Sequence, residues 1–308
     1  MFPMVAPSVT PQSPSQGAGI GSENPARWLR WYFGAMAVLV WGLMALGSAT
    51  RVMNAGLACP DWPLCFGAVV PVQEMNLLVF LEWFHRVVAT SMGLWAIGGV
   101  GLAWRFRRSL PPWLPKATLG VLGLVMVQGV LGGLTVTELL RFEIVTAHLG
   151  TGLLFFLAVL AIFVGLQTVT PQEQRIARPV TIAATVAALS IYGQSLLGAV
   201  VASRWAALQC LGDGELCRVL YAHFWGIGPA AVTAAIAAGM AWRSGVPLWQ
   251  RLGLALALLV VGQIGLGYLT YKLQLQVPAV TVAHQAIGAL LLGTATTVAL
   301  LSRRAATV

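Results

Sequence analysis

Eight long apolar stretches constrain the fold of this chain more than any other feature of its sequence. Each is close to the roughly 20 residues that an α-helix needs to cross the hydrocarbon core of a bilayer. Charged residues make up 9% of the chain, whereas they make up about a quarter of soluble domains. The sequence therefore predicts an all-α integral membrane protein and excludes a soluble globular enzyme. The eight predicted transmembrane helices cover residues 31–50, 77–104, 117–137, 144–167, 180–202, 219–241, 252–271 and 279–301.

The basic residues are unevenly distributed between the two sides of these spans. Lys and Arg accumulate in the cytoplasmic loops of membrane proteins, so both termini are predicted to be cytoplasmic. The net charge of +9 is thus a sign of topology, and no nucleic-acid partner is predicted. Twelve of the 18 cations lie on the predicted cytoplasmic side: Arg27, Arg30, Arg105, Arg107, Arg108, Lys116, Arg175, Arg178, Arg243, Arg251, Arg303 and Arg304.

The chain divides into a tail and two similar halves. Residues 1–26 are rich in Pro, Ser and Gly and predict a disordered cytoplasmic tail without the basic segment of a signal peptide. Residues 27–170 and 171–308 each contain four spans, so the halves share one orientation and predict two pseudo-symmetric four-helix bundles. Like residues recur 151 positions apart in the two halves: Gly42 and Gly193, Gly47 and Gly198, Cys59 and Cys210.

The four histidines of the chain occupy matching places. His85, His148, His223 and His284 each lie in the first two or three turns of an even-numbered span, and these spans all run inward. Each half therefore presents two imidazoles near the outer leaflet, which suits the two axial positions of a haem iron. Zinc requires a third or fourth ligand, and neither half supplies one at that depth. The alternative is that each histidine bonds a neighbouring helix, but four repeat-related positions favour haem ligation.

One carboxylate breaks the symmetry between the halves. Glu82, His85 and Arg86 share one face of span two, and ionisable groups at membrane depth are functional candidates. In the second half, Leu220 stands three residues before His223. Glu82 is therefore a candidate catalytic group that relays protons or orients water beside the first haem. Two alternatives stay open: an acid that interacts with the helix dipole, or a salt bridge to Arg86.

The predicted outer loops carry two cysteine pairs. Cys59 and Cys65 lie in one loop, and Cys210 and Cys217 lie in another. An oxidising compartment favours one disulfide in each loop. The first pair is either a structural staple over the bundle or a redox-active pair above the haem, and the sequence leaves both open.

Three spans repeat the pattern Gln-x-x-x-Gly, whereas the first span has Leu43 before Gly47. Small residues allow close helix approach, and a glutamine can bond across it. The pattern is interpreted as helix packing, with contact to a bound macrocycle as the alternative. Outer-side cations such as Arg86 are also candidate partners for haem propionates. The three repeated pairs are Gln128/Gly132, Gln194/Gly198 and Gln263/Gly267.

Several motifs together resemble the haem A synthases over most of the chain, from about residue 31 to 301. The resemblance implies oxidation of a porphyrin methyl group of haem O to a formyl group, giving haem A for cytochrome oxidase assembly. It also implies a location in the bacterial plasma membrane and the cysteine-containing bacterial type. The motifs are Cys59-Pro60-Asp61-Trp62-Pro63-Leu64-Cys65, Glu82-Trp83-Phe84-His85-Arg86, Ala147-His148-Leu149-Gly150, Tyr221-Ala222-His223-Phe224-Trp225 and Ala283-His284-Gln285.

The same resemblance assigns roles to individual residues. The N-terminal half would bind the substrate haem O, and the C-terminal half would bind a protohaem (haem b) cofactor that passes electrons. Haem O synthase and an electron donor such as quinol or ferredoxin are the expected partners. The implied roles are substrate haem ligands for His85 and His148, haem b ligands for His223 and His284, catalysis for Glu82, and a pair important for activity for Cys59 and Cys65.

Two other classes of protein share part of this pattern. One is a bis-histidine membrane cytochrome that carries electrons from quinol to an outer acceptor. The other is a haem carrier or transporter in which the histidines are transient ligands. A cytochrome would use two equivalent haems, so the single Glu82 argues against it.

Overall fold

The computed structural model describes residues 25–168, 178–210 and 214–305. Eight of the helices in these residues are long and apolar enough to cross a membrane, which confirms the predicted eight-span all-α fold. A further one-turn helix, α6, lies in the loop between α5 and α7 and was not predicted. The helices are α1 (Pro25–Val52), α2 (Leu77–Arg105), α3 (Leu114–Thr137), α4 (Phe142–Gly165), α5 (Arg178–Ser203), α6 (Ala206–Gln209), α7 (Glu215–Trp242), α8 (Pro247–Lys272) and α9 (Pro278–Ala305).

The first helix begins earlier than the hydropathy pattern predicts, at Pro25 instead of Trp31. Proline is favourable in the first helical turn because its missing N–H would be unpaired there, and α8 and α9 also begin with proline. The predicted disordered tail is therefore wrong at residues 25 and 26. Its remaining residues, 1–24, lie outside the described residues, as does most of the polar loop between the halves.

The long helices form two four-membered rings. Helices α1 to α4 pack in sequence and α4 returns to α1, and α5, α7, α8 and α9 do the same. Below, these rings are called the first and second bundle. The bundles meet where α1 and α4 pack against α9, and where α4 packs against α5. The arrangement is the side-by-side pair of four-helix bundles that the internal repeat predicts.

Two aromatic residues join the bundles in a symmetric way. The Trp41 indole N–H donates to the carbonyl oxygen of Ala286 at 2.9 Å, and the Tyr192 hydroxyl donates to the carbonyl oxygen of Gly150 at 3.3 Å. Trp41 and Tyr192 occupy equivalent places in the repeat, and each acceptor follows a histidine by two residues. Each bundle is thus bonded to the helix that carries a histidine of the other bundle.

Candidate functional site

The histidine pairs predicted from the sequence come together in the structure. Each histidine lies near the start of its helix, on α2, α4, α7 and α9. His85 interacts electrostatically with His148 in the first bundle, and His223 interacts with His284 in the second. The structure therefore places one pair of imidazoles inside each bundle.

A glycine on the preceding helix faces each imidazole. A Cβ atom at two of these glycines, Gly47 and Gly267, would lie under 3.0 Å from the ring, which real Cβ atoms essentially never do, and one at Gly198 would lie at 3.0 Å. Glycine therefore lets each ring lie against the backbone of the neighbouring helix. The distances from such a Cβ to the histidine Cε1 are 2.9 Å for Gly47–His85, 3.5 Å for Gly132–His148, 3.0 Å for Gly198–His223 and 2.8 Å for Gly267–His284.

The imidazoles combine a buried nitrogen with a partly exposed ring. The Nδ1 atoms of His85, His148 and His284 are buried and have no hydrogen-bond partner, although all four histidine side chains are partly accessible. Unpartnered buried polar atoms are uncommon and require an explanation. Paired, partly accessible imidazoles fit a haem held at both axial positions.

The glutamines of the Gln-x-x-x-Gly segments each contact a histidine residue, so the interpretation as helix packing was incomplete. Gln128 Nε2 donates to the His148 carbonyl oxygen at 2.8 Å. Gln194 Nε2 donates to the His223 carbonyl oxygen at 2.8 Å and lies 3.1 Å from its Nδ1. Gln263 Nε2 lies 3.5 Å from Nε2 of His284 and makes no bond to its carbonyl oxygen. The contact between such a glutamine and its histidine is called an amide bridge below.

Glu82 is buried, with 4% of its surface exposed, and both of its oxygens are bonded. Oε2 accepts the backbone N–H of Cys59 at 2.8 Å, and Oε1 accepts from the Arg86 guanidinium. The salt bridge considered from the sequence is therefore present. It offsets the cost of burying a carboxylate and holds Glu82 one helical turn before His85.

Arg86 connects this carboxylate to the loop above it. Its Nη1 donates to the carbonyl oxygens of Asp61 at 2.6 Å and Leu64 at 2.5 Å. Its Nη2 donates to the carbonyl oxygen of Cys59 at 3.2 Å. Arg86 thus fixes the loop onto Glu82, and a contact with a haem propionate stays a prediction.

The loop over the first bundle is closed by a disulfide between Cys59 and Cys65, both fully buried or nearly so. The N–H groups of Gly67 and Phe66 donate to the Asp61 carboxylate at 2.9 and 2.6 Å. These two bonds, the one from Gly67 foremost, lower the pKa of Asp61. The loop is therefore ordered by its own bonds as well as by Arg86.

The second cysteine pair is also bonded, between Cys210 and Cys217. Both disulfides expected from the sequence are therefore present. In the second bundle a buried leucine, Leu220, stands where Glu82 stands in the first. The two disulfide loops thus accompany bundles that differ at this position, with a carboxylate in the first and an aliphatic side chain in the second.

Comparison with known proteins places the chain in a family. A family model described as a cytochrome oxidase assembly protein, COX15-CtaA, matches residues 30–296. The chain belongs to this family. The matched COX15-CtaA region begins in α1 and ends in α9, so it includes both bundles, all four histidines and both disulfides.

Three curated relatives of this COX15-CtaA protein are each named haem A synthase. The protein of Caulobacter sp. (strain K31) is 31% identical, over 89% of this chain and 95% of the relative. That of Rhizorhabdus wittichii is 28% identical, over 88% and 92%. That of Shewanella oneidensis is 31% identical over 59% of each chain. The resemblance stated from the motifs is confirmed at the level of the family.

Two shorter matches involve longer proteins. One is a protein of Schizosaccharomyces pombe named haem A synthase–mitochondrial ferredoxin fusion protein, 29% identical over 33% of this chain and 21% of the relative. The other is a protein of Halobacterium salinarum named protohaem IX farnesyltransferase, 33% identical over 44% of this chain and 28% of the relative. In both, the matched segment is a minor part of the protein.

Proposed function

We propose that this chain is a haem A synthase, a membrane oxidoreductase that oxidises a porphyrin methyl group of haem O to a formyl group. Family membership and the paired histidines support a haem protein. The observation that carries the proposal further is Glu82. A buried carboxylate stands one turn before His85, whereas the equivalent position in the second bundle is Leu220. One bundle is thus equipped for chemistry and the other for holding a cofactor.

The two bundles have different roles in this proposal. His85 and His148, in residues 27–170, hold the substrate haem O. His223 and His284, in residues 171–308, hold haem b. The paired imidazoles and the glycines facing them support haem binding in each bundle, and the single carboxylate, Glu82, supports placing the substrate in the first. Bound haem supplies iron redox chemistry, while the bundles orient the macrocycles and exclude water.

Glu82 is the proton-handling group of the first bundle. With O2 as the oxidant, each of the two hydroxylations that would turn the methyl group into a formyl group takes up two electrons from the donor and two protons and releases one water, and a buried carboxylate in hydrogen-bond reach can pass those protons on. The Cys59 N–H and Arg86 orient this carboxylate, and Arg86 neutralises its charge when no proton is present. Glu82 relays protons or orients a water molecule beside the substrate.

Electron supply and substrate delivery require partners at the membrane. The positive-inside pattern supports cytoplasmic termini in a bacterial plasma membrane, with the disulfide loops and histidines towards the outer side. Quinol or a ferredoxin is the proposed donor, and the fusion in the S. pombe relative supports ferredoxin. A haem O synthase would supply the insoluble substrate. Failure of the two proteins to co-purify from native membranes in mild detergent would count against that partnership.

The experiment that tests the function is pigment analysis. The protein is expressed in a host that also makes haem O and is purified, and the extracted haems are identified by mass. Haem A or its hydroxymethyl precursor, together with protohaem, is the expected result. Protohaem alone, with haem O present but unbound and unaltered, would favour the bis-histidine cytochrome. Unaltered haem O bound to the protein would favour a carrier.

The two disulfides should differ in their effect on activity. Replacing both Cys59 and Cys65 by serine should lower haem A formation at least about tenfold, because the loop would no longer hold Glu82 through the Cys59 N–H. The matched control replaces Cys210 and Cys217 by serine. This control should retain haem A formation although its outer loop is less stable. Equal losses in both variants, measured as the ratio of haem A to haem O, would contradict a specific role for the first loop.

A further inference from the structure

The amide bridge is present at three of the four histidines and is missing at His85. Each bridged unit combines a glutamine, a glycine four residues later that faces the imidazole, and a second glycine on the histidine's own helix. In the remaining unit, Leu43 replaces the glutamine and Ala89 replaces the second glycine. The bridged units are Gln128–Gly132–His148–Gly152, Gln194–Gly198–His223–Gly226 and Gln263–Gly267–His284–Gly288.

The second glycine makes room for the amide. A Cβ atom at Gly226 would lie 2.1 Å from Gln194 Oε1, and one at Gly288 would lie 3.0 Å from Gln263 Nε2. At Gly152 the distance to Gln128 Nε2 would be 3.1 Å. The glutamine can therefore reach the histidine residue only because this glycine has no side chain, and the two residues occur together. The α1–α2 unit lacks both of these residues.

The difference leaves His85 more weakly fixed than the other three histidines. Gln128 ties the carbonyl oxygen of His148 to α3, and Gln194 ties that of His223 to α5, whereas Gln263 contacts only the ring of His284. His85 packs against Gly47, and its buried Nδ1 has no partner, as is also true of His148 and His284. Within the described part of the chain, no side-chain hydrogen bond anchors its imidazole or its backbone carbonyl to α1.

We propose that His85 is the exchangeable one of the four haem-binding histidines, the imidazole that gives up its place at the substrate haem to a small external ligand. The inference rests on the proposed function. If both imidazoles held the haem iron, an oxidant such as O2 could bind there only where one imidazole yields. Glu82 stands one turn before His85 on the same helical face, so the vacated place lies beside the carboxylate. The three bridged histidines stay in place.

Cyanide binding to the purified ferric haem protein tests this without measuring activity. Exchange requires the bound imidazole to leave first, so its rate reports how firmly each histidine is fixed. The variant Leu43→Gln with Ala89→Gly installs a bridge at His85 and should slow cyanide binding about tenfold, the scale of one or two hydrogen bonds. Absorption and electron paramagnetic resonance spectra follow the loss of bis-imidazole coordination.

The matched reverse variant is Gln194→Leu with Gly226→Ala, which removes the bridge to the carbonyl oxygen of His223. This variant should bind cyanide in the second bundle as an additional kinetic phase. The unmodified protein should lack this phase. The haem content of both variants reports whether they fold. A third variant, Gln128→Leu with Gly152→Ala, removes the bridge at His148. It should raise the rate of cyanide binding in the first bundle no more than about twofold, because His85 already dissociates from the iron more readily than His148.

Two results would overturn the inference. One is cyanide binding that is unchanged when the bridge is installed at His85. The other is a large increase in the rate of cyanide binding in the first bundle when the bridge from Gln128 is removed, because the exchanging histidine would then be His148. Both can be observed with protohaem in either site, whereas the proposed function is decided by the identity of the extracted haems. A negative result for the exchange of His85 would therefore not contradict the proposed function, and a negative result for the function would not contradict the exchange of His85.

Discussion

Replacing Glu82 by glutamine should abolish haem A formation and leave both haems bound. Glutamine keeps the shape of the side chain, and its amide oxygen can still accept the Cys59 N–H that Glu82 Oε2 accepts. It carries no negative charge for Arg86 and cannot take up a proton. Loss of a positioned acid or base costs about 10²- to 10⁴-fold in rate, so haem A should fall below detection while haem O accumulates. Mass analysis of the extracted haems measures both.

A matched control separates this effect from a general loss of acidic charge. Glu143, in the first turn of α4, is also an acid near a helix start of the first bundle, but its side chain is 52% exposed and pairs with Arg141 at 3.7 Å. Glu143→Gln should form haem A at the rate of the unmodified protein. Haem A formation by Glu82→Gln above half of the normal rate would rule out proton handling by Glu82 and leave the salt bridge as its role.

Removing one histidine from each bundle should deplete different haems. His148→Ala should lose haem O and retain protohaem, and His284→Ala should lose protohaem and retain haem O. Loss of an outer-shell partner alone costs about 10- to 100-fold in metal affinity, and loss of an axial ligand costs at least as much. The ratio of the two haems in purified protein, per mole of polypeptide, measures the selectivity.

The two histidine variants act as controls for each other. Both replace a partly accessible imidazole packed beside a glycine, so damage to folding should be similar, and only the identity of the lost haem should differ. Loss of both haems from each variant would show that the bundles do not bind haem independently. Loss of the same haem from both would contradict the assignment of haem O to residues 27–170 and haem b to residues 171–308.

Much of the fold could be predicted from local sequence because a bilayer allows few solutions. Apolar stretches of sufficient length must be helical, since lipid offers no partners for backbone groups, and this defined eight spans. Hydropathy predicted the helix ends least accurately. Helix α1 extends past Arg30 and Arg27 to Pro25, because backbone hydrogen bonding continues beyond the apolar residues. Repeat spacing located the histidine pairs because residues at equal depth on helices of one orientation meet in the same layer.

The contacts around Glu82 were decided only by the tertiary structure. Spacing showed that Glu82, His85 and Arg86 share a face, but it could not show that Cys59 donates to Glu82 or that Arg86 binds three loop carbonyls. Those bonds depend on the path of a loop that has no periodic pattern. The loop folds back onto α2 because its carbonyl oxygens accept hydrogen bonds from the partly buried Arg86 guanidinium there.

The rotation of neighbouring helices decided the role of the glutamines. From the sequence, Gln128, Gln194 and Gln263 were polar residues one turn before a glycine, which is equally typical of simple helix packing. Which side chain an amide meets depends on how two helices are turned about their axes, and hydropathy does not contain that information. The sequence by itself determined the class of protein, the pairing of the histidines and the single carboxylate. Only the tertiary structure showed that the three glutamines contact histidine residues and that His85 has no such contact.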